Sequence, residues 1–256
     1  MKKTIALVTG AAGGIGSAVT RALAERGTAV AAVDRDAEPL EQVTAAFAAK
    51  GLDVTAFPAD VTRADDVERA VAAVERRLGP VDHLVNAAGV LRTGEAVTLT
   101  DDDWNTTFAV NTAGVFHVSR AVVGRMARRG HGSVVTVASN AAGTPRTGMA
   151  AYAASKAAAA MFTKCLGLEV ARYGVRCNVV APGSTDTPML SSMWEDASGA
   201  RRTIEGIPES FKVGIPLGKL ARPDDIADAV VFLLSDRASH ITLHSLLVDG
   251  GASLGN

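Results

Sequence analysis

The sequence predicts an α/β fold, a seven-stranded parallel sheet doubly wound by helices, and three observations predict it. Short β-branched runs alternate with longer amphipathic segments along the whole chain. The runs are apolar throughout rather than alternating, which signals strands buried on both faces. Helical periods end at glycines able to adopt the left-handed C-cap conformation. Such alternation demands right-handed crossovers, and these join parallel strands.

In chain order the strand runs are "TIALV" at 4–8, "AVAAV" at 29–33, "DVTAF" at 53–57 and "HLVN" at 83–86. "SVVTVAS" at 133–139, "VRCNVV" at 175–180 and "HSLLVDGG" at 244–251 complete the seven. "SAVTRALAERG" and "DDVERAVAAVERRLG" have the helical period, and each stops at a glycine. At 256 residues, 48% hydrophobic and 21% charged, the chain is long enough to bury one large core, so one domain spanning 1–256 is expected. Only residues 183–218, rich in Ser, Thr, Gly and Pro, lack a clear period. A loop of that length inside one domain reads as a lid over a site, or else as a surface excursion.

Charge and composition narrow the function. A formal net charge of −1, with Lys and Arg dispersed, offers no electrostatic footprint for nucleic acid or acidic membranes. The expected partners are small molecules. The apolar run after "MKK" is too short for a signal-peptide core, and no apolar stretch reaches transmembrane length. Two cysteines, Cys165 and Cys177, are too few for a disulfide framework. Both sit in apolar runs and are expected to be buried thiols in a reducing cytoplasm. The five histidines show no ligand spacing, so no metal is expected.

Chemistry enters with "VTGAAGGIGSAV", where Gly10, Gly14 and Gly16 lie between the first strand and its helix. Glycines there let the backbone approach a pyrophosphate that helix N-terminal amides would meet; a tight turn alone would use them too. Asp34 ends the second strand 18 residues beyond Gly16, placed to accept hydrogen bonds from an adenosine ribose or to cap the next helix. A 2'-phosphate would meet like charge at Asp34, which favours NAD over NADP, with Arg35 the opposing influence. Tyr152 and Lys156 lie one helical turn apart, and an ammonium beside a phenol favours the phenolate. Ser139, at a strand end, is placed to reach the same reacting oxygen. A Tyr–Lys pair at this spacing is also ordinary surface decoration, and the surrounding motifs decide between the readings.

Ser139, Tyr152 and Lys156 following "TGAAGGIG", with "NAAG" at 86–89, Asn111 in "FAVNTAG" and "PGSTDT" from Asp-containing residues 182–187, resemble the short-chain dehydrogenase/reductase family over essentially the whole chain. The resemblance implies a Rossmann-type domain with Tyr152 as acid/base and Ser139 orienting the substrate oxygen. It implies that Lys156 also binds the nicotinamide ribose and that Asn111 holds a water of the proton relay. Gly10, Gly14, Ile15, Gly16, Asp34 and Arg35 would bind the dinucleotide, Asp60 and Val61 its adenine. Asn86, Ala87 and Gly89 would form the cofactor wall, and Pro182, Gly183, Thr185 and Thr187 the nicotinamide side. The family commonly forms homotetramers through helix pairs and the C-terminal strand region.

"NAAGVLRTG", "FKVGIPLGKLARPDDIA" and "ASHITLHSLLVDGGASLG" are further similar to the branch that oxidises 2,3-dihydro-2,3-dihydroxybenzoate for catechol siderophores. A cyclohexadiene carboxylate is therefore the expected substrate, with oxidation at the C3 hydroxyl. Its carboxylate calls for a guanidinium, and Arg146 and Arg92 are the candidates. Met149 and Met189 are candidate apolar walls, or core filling. Pro188, Met189 and Leu190 stand where that branch has an acidic residue, Met and Gln, which leaves room for a 2-amino analogue, trans-2,3-dihydro-3-hydroxyanthranilate. A non-catalytic dinucleotide-binding protein is the rival class; it would lack one of Asn111, Ser139, Tyr152 and Lys156, and all four are present.

Overall fold

β1 (Ile5–Thr9) leads through the glycine-rich turn into α1 (Gly14–Glu25), and β2 (Ala29–Asp34), α2 (Ala37–Ala48), β3 (Val54–Pro58) and α3 (Ala64–Arg77) repeat the unit. After β4 (His83–Asn86) come α4 (Asp101–Phe108), one π-helical turn at Ala109–Gly114, and α5 (Val115–Arg129). β5 (Gly132–Val137), α6 (Ala150–Val170) and β6 (Val175–Pro182) follow. Short α7 (Pro188–Ser191) and α8 (Gly199–Glu205) precede α9 (Pro223–Leu234) and β7 (Ser245–Val248). This computed structural model describes residues 3–255.

The seven strands lie in the order β3-β2-β1-β4-β5-β6-β7, and every pairing is parallel. β1 is flanked by β2 on one side and β4 on the other, so the chain leaves the centre in opposite directions. That reversal opens a crevice at the carboxyl ends of the strands, where doubly wound sheets bind ligands.

The alternation within each strand explains why its run is apolar throughout. Leu7, Ala31, Leu84 and Val134 face one core with Val71 and Val74 of α3 and Val122 and Met126 of α5. Their neighbours Val8, Val30, Val85 and Val135 face the other with Val19 and Leu23 of α1, Leu40 of α2 and Ile226 and Val230 of α9. Both faces exclude water, and a fully buried aliphatic side chain contributes about 1.5–3 kcal/mol. A left-handed glycine follows α1 as expected, Gly27 with φ 82°.

Two expectations are corrected. Residues 183–218 are not one irregular loop, because α7, α8 and a 3-10 turn at Pro208–Ser210 give them local structure too short to register as a period. Cys177 is buried, but Cys165 is exposed. It shares an outward face of α6 with Met161 and Leu168, 59% and 71% exposed, so apolar neighbours in sequence did not mean burial.

Candidate active site

Two adjoining cavities open at the carboxyl ends of the strands, sharing Ile15, Thr187 and Met189. The first, about 470 Å³, runs along the β1–α1 turn and is lined by Gly10, Gly14, Ile15, Gly16, Asp34, Arg35, Asp60, Val61, Ala87 and Gly89. The second, about 330 Å³, is lined by Ser139, Arg146, Met149, Tyr152, Pro182, Gly183, Thr185, Thr187 and Met189.

Close backbone approach shapes the first cavity. A Cβ on Gly16 would lie 2.0 Å from the carbonyl oxygen of Gly10, so α1 reaches the turn only with glycine there. Gly13 at the N-cap has no side chain to cover the first-turn amides, which leaves the start of α1 suited to an anion. The Asp34 carboxylate is held by the amides of Ala12 (3.1 Å) and Arg35 (2.8 Å). The guanidinium of Arg35 turns to Asp36, 3.1 Å away. Asp60 accepts from the amide and hydroxyl of Thr62 at 2.9 and 2.7 Å, closing a turn that opens α3. Anion-ready amides beside a fixed carboxylate fit the pyrophosphate and ribose of a dinucleotide.

Ser139 and Tyr152 line the second cavity, and the buried Lys156 lies beside Gly89 of the first. β5 delivers Ser139, which is 9% exposed and whose Oγ accepts from the amide of Ala141 at 3.1 Å. α6 delivers Tyr152 and, one turn on, Lys156, whose ammonium donates to the carbonyl of Val137 at 3.0 Å. That ammonium lies 5.8 Å from the centre of the Tyr152 ring. Burial pushes the Tyr152 phenol up, and the adjacent Ser139 hydroxyl works against that by favouring the ionised form. Burial pushes Lys156 down to about 8. Desolvation therefore dominates both groups, and proximity of the amine alone does not set the phenol's acidity. Burial also lowers Arg146, an effect partly offset by the carboxylate of Asp249.

Two expected site residues are placed otherwise, and the side chain of a third is engaged behind the cleft. Arg92 is exposed, with Nε 3.8 Å from the carboxylate of Asp103, and its neighbour Leu91 lines the cavity instead. Asn86 is 2% exposed and donates to the hydroxyls of Ser119 (3.0 Å) and Thr136 (3.3 Å), tying β4 to α5 and β5 rather than lining the cleft. Asn111, fully buried in the π-helical turn, binds the Val90 amide and carbonyl and the Ser155 hydroxyl with its side-chain amide. Its side chain thus braces α6 behind Tyr152, leaving only its main chain for a water.

The second cavity also contains residues that sequence reasoning missed: Asn140, Trp194, Arg202 and Lys212. Adjacency to Ser139 was a signal for Asn140, which donates to Asp249 at 3.2 Å. The other three sit where no period places them. Among the described residues no cluster of His, Cys, Asp and Glu stands where a metal could be held, and no helix is long and apolar enough to cross a membrane.

Comparison with known proteins matches this geometry. The short chain dehydrogenase family matches residues 4–198. The chain is 58% identical over 251 residues to the 2,3-dihydro-2,3-dihydroxybenzoate dehydrogenase of Bacillus subtilis, covering 98% of this chain and 96% of that protein. It is 47% identical over 249 residues to the protein of the same name from Escherichia coli, covering 97% and 96%. A crystal structure of a gluconate 5-dehydrogenase from Burkholderia cenocepacia, in complex with NADP and tartrate, superposes with a TM-score of 0.91 at 32% identity, covering 99% of this chain and 96% of that one. Glycine-rich turn, serine, tyrosine and lysine stand together at the switch point of a parallel sheet, and the chain belongs to the short-chain dehydrogenase family, whose oxidoreductases use a nicotinamide dinucleotide.

Proposed function

We propose that this protein oxidises 2,3-dihydro-2,3-dihydroxybenzoate at its C3 hydroxyl with NAD, giving 2,3-dihydroxybenzoate for siderophore or related biosynthesis. The observation that carries the reading is a phenol–hydroxyl pair, Tyr152 and Ser139, in a cavity that Arg146 and the apolar Met149 and Met189 also line. Similarity to two proteins of that name supports it.

When bound, the nicotinamide supplies the acceptor for the hydride that leaves C3. Tyr152, as phenolate, takes the hydroxyl proton, and Ser139 holds the oxygen in line. Lys156 keeps positive charge near the phenolate, and Arg146 receives the ring carboxylate. The resulting ketone tautomerises to an aromatic phenol, which draws the oxidation forward. A water at the main chain of Asn111 would return the proton to solvent. Pro182, Gly183, Thr185 and Thr187 border the nicotinamide side and begin the segment 183–218, which acts as a lid. A homotetramer in the cytoplasm belongs to the same proposal; exposed Phe116, Met161 and Leu168 supply an apolar face for self-association.

The direct test is purified protein with NAD and each dihydro acid, following NADH absorbance and identifying the product. Formation of 2,3-dihydroxybenzoate supports the reading, and no turnover of either acid overturns it. A second reading, oxidation of the 2-amino analogue, has Leu190 in its favour, since this buried residue lines the substrate cavity. Turnover of that analogue alone would select it.

NAD is preferred over NADP in this proposal because Asp34 is fixed in the cleft and Arg35 is paired with Asp36. Asp34→Ser removes the like charge facing a 2'-phosphate, so kcat/KM with NADP relative to NAD should rise on the order of tenfold. An unchanged ratio in steady-state assays would remove Asp34 as the discriminator.

A further inference from the structure

The hairpin between α8 and α9 reverses the usual placement of side chains. Phe211 and Val213 are 88% and 61% exposed, while the lysine between them, Lys212, turns inward to line the substrate cavity. A turn that puts its apolar groups in water and its ammonium in a cavity calls for an explanation in the cavity.

The backbone holds Lys212 there. Ile207 and Lys212 exchange hydrogen bonds, amide to carbonyl, at 2.9 and 3.1 Å. Gly206 makes the turn with φ 97°, and a Cβ there would lie 2.6 Å from the Lys212 carbonyl oxygen. The amide of Ile215 donates to Ile204 at 2.8 Å, closing the hairpin onto α8. On the other side, the hydroxyl of Thr147 donates to the Ser210 carbonyl at 3.4 Å, which links the hairpin to the loop that bears Arg146.

Arg146, Lys212 and Arg202 of α8 line one cavity, and among the described residues none of their side chains makes an ion pair or hydrogen bond. Burial lowers Lys212, and the positive charges of Arg146 and then Arg202 lower it further. The acids nearby do not resolve this. Asp196, close to Arg202, caps the Ser198 amide at 2.7 Å. Glu195 is exposed on the same wall. Asp249 is occupied by Asn140, Gly251 and Ser253. Cations gathered without a partner oppose folding, and an anion between them reverses the sign.

We propose that Lys212 is a specificity-determining residue that, opposite Arg146, grips the carboxylate of the substrate. The bound anion then joins the hairpin at 206–214 to the loop at 139–149, so the lid closes on acids and not on neutral rings. The inference rests on the oxidation reading only for the identity of that acid.

The test is calorimetric titration of the enzyme–NAD complex with 2,3-dihydroxybenzoate and with uncharged 2,3-dihydroxybenzamide. Lys212→Met should weaken the acid about 10- to 30-fold and the amide less than about threefold, with Lys212→Arg recovering most of the loss. Arg146→Met should likewise weaken the acid more than the amide. NAD affinity and the unfolding temperature serve as controls for the fold. Equal weakening of acid and amide, or an unaffected acid, overturns the proposal, as does a wild-type complex that binds no acid. If acid binding depends on Lys212 but neither dihydro acid turns over, the clamp stands and the oxidation reading falls.

Discussion

Tyr152→Phe should fold, bind the dinucleotide and lose about 10³-fold in kcat, the range a positioned acid/base contributes. The ring remains in place on α6, so the packing beside Ser139 is unchanged. Only the oxygen that accepts the substrate proton is gone. The profile with pH carries a second mark of the same group. Burial raises the Tyr152 phenol and its ionised form is the reactive one, so oxidation should accelerate as pH rises and flatten above about 8, where Lys156 gives up the charge that favours that form. The Ser139 hydroxyl favours that ionised form, so Ser139→Ala should move the rising limb to higher pH as well as slow turnover. NADH absorbance across a pH series, with calorimetry for NAD, reads all of this. A phenylalanine enzyme within tenfold of wild type would show that another group takes the proton.

The sheet was legible because burial on both faces writes itself into every strand. The run "AVAAV" became Ala29–Asp34 between two parallel neighbours, with alternate residues in opposite cores. The site was legible wherever a residue type is forced by its place, as glycine is at 16, where any Cβ meets the Gly10 carbonyl. Direction was not legible. Asn86 points between helix and sheet, and Arg92 turns to Asp103, because a motif gives a residue's position along the chain and not the face its side chain takes. Lys212 was hidden for a related reason. Its inward turn depends on a left-handed Phe211, φ 55°, and on a bridge between residues of an aperiodic segment. The sequence shows there only a lysine between two apolar residues, which reads as an exposed cation.

Lys156→Met should abolish most activity and yet raise the unfolding temperature at neutral pH, separating the residue's catalytic role from its effect on the fold. Lys156 is 6% exposed, and among the described residues its ammonium has a single acceptor, the Val137 carbonyl. Burial holds it at about 8, below its ordinary 10.5, so the folded protein binds this proton more weakly than the unfolded chain does. Stability is therefore diminished, by on the order of 3 kcal/mol, throughout the range below the folded value. That deficit fades as pH climbs from about 8 to 10.5, where the amine is neutral in both states. Methionine has a similar length and no charge to desolvate. It leaves the Val137 carbonyl without its donor, a loss of about 1–3 kcal/mol, so the net gain is at most about 2 kcal/mol. For a chain of this size that ceiling is roughly 4–8 °C. Thermal unfolding of both proteins at pH 7 and pH 10 checks the sign: the variant should lead at the lower pH and lose that lead at the higher. A variant less stable than wild type at pH 7 would mean that the ammonium is held by more than one carbonyl, and that its charge supports the fold as well as the phenolate.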